Sequence, residues 1–379
     1  MNNTATTNFG MTEENWEDLL ESLEDEKCII CLGPGFFTNE NALRLEDELA
    51  EYLRARQADL RIRVYDDGWF HYLADANEID VWKSIKRFFR QERPLVESRL
   101  RQLAQIPFHL LLSFTPDYKI RDAFAHPEND FAHDFQSYIK RTRYEEVFRP
   151  SRSRPLLYNM LGEVDKSNSL VLSYNDMYEY LQSIFEGKYM PSEYKEKIWE
   201  AQYFIFLGIP FDKWYTHLFM RILEQHNPQQ KSKRYAANTF LESNETTLSR
   251  EQYTMTFVDA DIPAFMAEFH RRSASWKPNF LRSKANARQP KISFEQINSW
   301  MLKWEFKKIF AELEAELAFG GTTGQEFMQI VENLHAQWKT NLHSEMSGHL
   351  TTDQVRAFNM TMFTRVQNLV MNLQTTYPS

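Results

Sequence analysis

The sequence predicts an α/β fold: a Rossmann-like parallel sheet with helices on both faces, joined to a C-terminal all-α helical module. Three observations predict it. Short apolar runs that stop at glycine or proline alternate with stretches of helical period. The runs are apolar at consecutive positions, so both faces of the sheet they form must be covered. The last ~85 residues keep helical period throughout, with no strand signal. A composition of 42% hydrophobic and 15% aromatic residues over 379 positions supplies the apolar surface that a packed core needs.

Residues 11–24 place Trp16, Leu19, Leu20 and Leu23 at helical spacing and read as the first helix. Lys27-Cys28-Ile29-Ile30-Cys31-Leu32, stopped by Gly33-Pro34-Gly35, reads as the first buried strand. Residues 41–57 return to helical period, and 81–104 give two more helices, the second opened by Pro94. Further strands are expected at 108–114, 170–173, 203–207 and 253–258. Helices are expected at 176–184, 214–224 and 262–272. Residues 273–292 are basic and lack period, as linkers do. The expected organisation is an α/β domain over 1–275, a linker over 276–292 and a helical module over 293–379, with a break at Gly320-Gly321.

Charge and cysteine usage narrow the function classes. A net charge of −9 argues against a nucleic-acid surface, and the basic run from Arg271 to Lys291 is explained as a charged linker. With only Cys28 and Cys31, no disulfide framework exists, and a reducing, cytoplasmic setting is expected. No run approaches the roughly 20 apolar residues of a membrane span, and the N-terminal segment lacks the pattern of a secretory signal. The C-x-x-C pair has no second pair to complete a zinc site. In a strand its two thiols point to opposite faces, so both are expected to be core residues and no metal is expected.

A glycine turn at the carboxyl end of a first strand can bring backbone N–H groups to a pyrophosphate, which makes Gly33, Pro34 and Gly35 candidates for nucleotide contact. The third glycine of the dinucleotide fingerprint is absent, and Phe36-Phe37 follow. Asp117, Asp212 and Asp259 each stand just past an expected strand, where ligands gather in parallel sheets and where helix caps also sit. The histidines show no metal spacing, although His109, His126 and His133 lie near the second strand.

Five ordered blocks carry a resemblance. Cys31-Leu32-Gly33-Pro34-Gly35, Ser113-Phe114-Thr115-Pro116-Asp117, Leu157 to Glu163, Ser169 to Ser173 and Phe206 to Asp212 together resemble a bacterial SIR2-like domain over about 240 residues. The resemblance implies a Rossmann-like NAD-binding fold and membership of antiphage systems whose effectors hydrolyse NAD. It implies cofactor contacts for NAD or ADP-ribose at Gly33, Pro34, Gly35, Thr115, Asp117, Gly208 and Asp212. Two departures matter. Thr115 stands where active members carry asparagine, and Leu161 stands where they carry the histidine of a Leu-His-Gly block. Leucine can neither accept a proton nor polarise a hydroxyl. The expectation is therefore a degenerate sensor, adaptor or scaffold with no catalytic residue, the alternative being a hydrolase that uses Asp117. The four-cysteine zinc ribbon of the deacetylase branch is absent, which argues against lysine deacylation. Residues 293–374, with Gly348 to Thr352 ahead of Arg356-Ala357-Phe358-Asn359, resemble effector-associated domains, small helical bundles that join a like domain on a protein partner.

Overall fold

The computed structural model describes residues 9–38, 43–129, 131–140, 144, 147–227, 232–238, 249–282, 292–317, 321–347 and 350–376. The chain divides into two compact units, Met1–Arg282 and Ser283–Ser379.

In the first unit, seven parallel strands form one sheet in the order β5-β6-β4-β1-β7-β8-β9. They are β1 (Cys28–Leu32), β4 (Leu110–Ser113), β5 (Asp134–Ser137), β6 (Leu156–Asn159), β7 (Tyr203–Leu207), β8 (Lys233–Ala237) and β9 (Met255–Phe257). A separate antiparallel ribbon pairs β2 (Ile62–Val64) with β3 (Phe70–Tyr72). Helices cover both faces, and alternation along the strands divides the apolar residues between two cores. Cys28, Ile30, Leu32, Ile205 and Leu207 pack with α1 (Glu13–Glu24), α2 (Leu45–Arg54), α4 (Glu78–Phe89), α5 (Pro94–Gln105) and α10 (Ile262–Trp276), the short helices α3 (Gln57–Leu60) and α6 (Lys119–Phe124) completing the series before β5. Ile29, Cys31, Phe204 and Phe206 pack with α7 (Tyr174–Phe185), α8 (Ser192–Glu200) and α9 (Trp214–His226). Both cysteines are buried, one in each core.

The strand expected at 170–173 does not form. Leu170 and Val171 are buried, but only Ser173 makes a bridge, to Phe70, and the Val171 N–H bonds to the Leu161 carbonyl. The place beside β4 belongs to β6, whose four residues follow the polar stretch Ser151-Arg152-Ser153-Arg154. Strands β5 and β8 were also not expected. β8 opens on Lys233-Arg234, and Arg234 reaches the core side only by pairing with Glu224 and the Tyr253 carbonyl. Beyond residue 275 the first unit continues to Arg282. Its guanidinium donates to the carbonyls of Ala104 and Ile106 at the end of α5, of Phe108 ahead of β4 and of Arg152 ahead of β6, and lies 4.7 Å from the Phe108 ring centroid. Most of the linker expected at 276–292 lies outside the described residues. At its upstream edge Arg271 and Arg272 are engaged by Glu268 and Glu13.

The second unit holds α11 (Phe294–Leu302), α12 (Phe306–Leu317), α13 (Gly321–Met346) and α14 (Thr352–Thr376) around a core of Ile297, Phe310, Leu313, Val331, Val366 and Leu373. The helical run expected over 293–318 breaks at Trp304, which sits in the left-handed region at φ 59°. Thr351 and Gln354 cap α14 reciprocally, each accepting from the other's backbone N–H. Among the described residues no helix is long and apolar enough to cross a membrane.

The order in which strands join the sheet reverses between β1 and β7, and there the two strand-ending turns touch backbone to backbone. Gly208 has φ 69°, and a Cβ on it would stand 2.1 Å from the Phe36 nitrogen. Gly208→Ala adds left-handed strain to that overlap, so it should cost about 3 kcal/mol or more. Urea unfolding of the variant beside wild type measures this; a loss below about 1 kcal/mol would mean that the turns are free to part.

Candidate functional site

Because the strands are parallel, the carboxyl ends of β6, β4, β1 and β7 share one edge. A cavity of about 60 Å³ lies there, lined by residues from the β1 and β4 turns, α2, the β2–β3 loop, Leu161 and Tyr215 of α9. Thr115 and Leu161, both singled out in the sequence, line this same cavity, and so does Pro34. Thr115 is buried, and its hydroxyl pairs with that of Ser113 at 3.0 Å.

The glycines stand behind the cavity. The Gly33 N–H donates to the Leu207 carbonyl at 2.9 Å, and the Gly35 N–H to the Gly208 carbonyl at 2.9 Å. The Phe36 and Thr38 N–H groups close a short 3-10 turn onto Gly33 and Gly35. Pro34 has no N–H. A Cβ on Gly33 would lie 2.3 Å from the Gly208 oxygen. Close backbone approach therefore accounts for glycine at 33 and 208, and these donors point at neighbouring carbonyls.

Asp117 is buried, and its Oδ1 accepts the Lys119 N–H at 2.6 Å, a local turn bond at the start of α6. Burial pushes its carboxyl up to about 6, with the Lys119 N–H and the charges of Lys119 and Arg93 working the other way. Its neighbour Pro116 lines the cavity. Asn159, at the end of β6, donates to the Asp117 carbonyl at 2.7 Å and steadies this turn. Asp212 does not line the cavity and is held by a two-pronged bond from Arg44 at 2.5 and 2.8 Å. Burial alone would raise the Asp212 carboxyl, but the Arg44 bonds and charge hold it below its ordinary range. Asp259 is exposed, and Asp261 caps the helix that follows it. His109 and His133 precede β4 and β5, so they belong to the opposite edge of the sheet. Among the described residues, no group of three or more His, Cys, Asp or Glu could hold a metal.

Sequence reasoning did not single out Glu46, Asp67, Trp69 or Tyr215, all of which line the cavity. Glu46 follows Arg44 on α2 and accepts the Tyr215 hydroxyl, with Arg44 Nε 3.6 Å away. Asp67 sits in the ribbon loop and accepts from the Trp69 N–H at 3.2 Å, from Trp214 Nε1 at 3.3 Å and from the Tyr174 hydroxyl. The Asp67-Gly68 pair between two β-prone runs is a hairpin signal that could have located that loop. No family model matches the chain, and no curated protein matches it.

Burial pushes the Glu46 carboxyl up to about 7, partly offset by Tyr215, Arg44 and Lys213, while Asp47 adds to the rise. The native state then keeps a proton that the unfolded chain releases. The resulting stabilisation is present at low pH and is lost as pH rises through about 7. Glu46→Gln, neutral at every pH, should gain on wild type by on the order of 2 kcal/mol between pH 5 and pH 8. Paired chemical melts at the two pH values check this; parallel curves would contradict it.

Proposed function

We propose that the chain is a SIR2-like protein of a bacterial conflict system that works in the cytoplasm as a catalytically degenerate sensor, adaptor or scaffold, associating with a protein partner or with itself through residues 293–379. The observation that carries this reading is Thr115 and Leu161 lining one cavity at the strand edge where the resembling enzymes need an amide and an imidazole. Neither residue can take a proton from a ribose hydroxyl or from water. The glycine-turn donors of residues 33 and 35, spent on β7 and its turn, support the same reading. In the helical unit, α14 leaves Met360 54% and Met371 50% exposed on a side shared with Ala357, Thr361 and Thr364. Arg365 is the one charged side chain from 357 to 376, so this surface suits contact with another helix.

A second reading, an NAD hydrolase that depletes the cofactor, is favoured by one observation. Glu46 faces the cavity with a carboxyl near neutrality, as a general acid or base requires. Two assays separate the readings. Purified protein incubated with NAD should show no loss of the cofactor. Turnover abolished by Glu46→Gln or Asp117→Asn would replace the scaffold reading with the hydrolase one. Sedimentation of the full chain should show association that Met360→Glu with Met371→Glu weakens at least tenfold. A wild-type chain that stays monomeric and captures no effector-associated domain would remove the tail's proposed role.

A further inference from the structure

The cavity's lining is unusual in charge. Glu46 and Asp67 contribute carboxyls, and no lysine, arginine or histidine lines it. Among the described residues the donors to Asp67 are a backbone N–H, an indole and a phenol, all neutral, and Asp67 makes no ion pair there. Its negative charge is thus held by dipoles without being cancelled. Glu46 Oε1 is fully enclosed and accepts no hydrogen bond among the described residues. Beside the cavity, Arg44 and Lys213 face Asp47, Asp212 and Glu46 itself, whose Oε1 lies 3.6 Å from Arg44 Nε, so the charge these cations leave uncancelled is that of Asp67. Such a field repels phosphate and draws positive charge.

The remaining walls say what kind of positive charge. Trp69 and Tyr215 line the cavity and meet at 70° with ring centroids 5.6 Å apart, while Trp214 and Tyr174, outside the lining, pack 6.2 Å from Trp69. Aromatic rings bound to carboxyls recognise organic ammonium groups through cation–π attraction. Leu45, Leu49, Phe89 and Leu161 make the rest of the surface apolar, which suits alkyl groups better than a hydrated metal ion. At 60 Å³ the space holds about four waters, so a group of a few heavy atoms fills it. We propose that this cavity binds a small organic cation, a primary amine or quaternary ammonium, with its charge toward Asp67 and Glu46 and its carbon atoms against Trp69, Tyr215 and Leu161. The inference deepens the sensor reading given above, and rests on the cleft not being a dinucleotide site.

Calorimetry on the full chain tests it, with tetramethylammonium, choline and propylammonium chlorides as probes, sodium chloride as the ionic-strength control and ADP-ribose as the anionic comparison. The expected result is saturable binding of at least one ammonium probe, weakened at least tenfold by Asp67→Asn and by Leu161→Phe. The second variant fills the cavity without touching a carboxyl, so it keeps the test valid where the first does not fold. No heat from any ammonium probe would overturn the inference and leave the expectation of no NAD turnover untouched. Ammonium binding that both folded variants retain would overturn it by moving the site elsewhere. Binding of ADP-ribose alone would overturn both this inference and the reading on which it rests.

Discussion

The contact between the β1 turn and the β7 turn is the constraint on which the α/β unit depends. Strands β1 and β7 pair along their whole length, and at their ends the backbone continues to pair, through the Gly33 and Gly35 N–H groups and the carbonyls of Leu207 and Gly208. No side chain fits between the two turns. The cost of that closeness is chemical. The crevice where strand order switches is where parallel sheets usually admit ligands, and this one is occupied by the protein's own backbone. The accessible space is displaced one strand over, beneath α2 and beside Thr115 and Leu161.

The same displacement gives α2 its importance. Its first turn reaches the β7–α9 junction through Arg44 to Asp212, Glu46 to Tyr215 and Lys213 to Asp47. These contacts mix charge, hydrogen bonding and burial, so α2 is fixed by polar geometry at one end and by Leu45, Leu49 and Leu53 along its core side. A cavity roofed this way has a defined size and a defined sign of charge, two properties that decide what can enter.

The parts legible in the sequence are those in which local pattern and burial agree. Strands β1, β4 and β7 lie at the sheet centre, and every position in them is apolar or small, so they announce themselves. Strand β8 does not, because Lys233 and Arg234 read as surface until Glu224 and the Tyr253 carbonyl are brought beside Arg234 by the fold. Leu170-Val171 has the composition of a strand but is buried as loop, since the place next to β4 is taken. The site divides along the same line. Thr115 and Leu161 come to notice in the sequence only through the proposed SIR2-like pattern. Glu46, Asp67 and Tyr215 come from a helix face, a hairpin loop and a second helix, and only tertiary contact relates them.

The two cysteines lie three positions apart on one central strand, yet they belong to different cores and are both shielded from solvent. Burial raises both thiols well above their ordinary range, so neither is a thiolate at neutral pH. Modification of either therefore requires the layer on its own side of the sheet to lift away. The strand carries a matched pair of internal reporters: alkylation of Cys28 times the opening of the α1, α5 and α10 layer, and alkylation of Cys31 times that of the α7, α8 and α9 layer. Peptide-resolved labelling can thereby follow how the two halves of one sheet come apart, with no foreign group introduced.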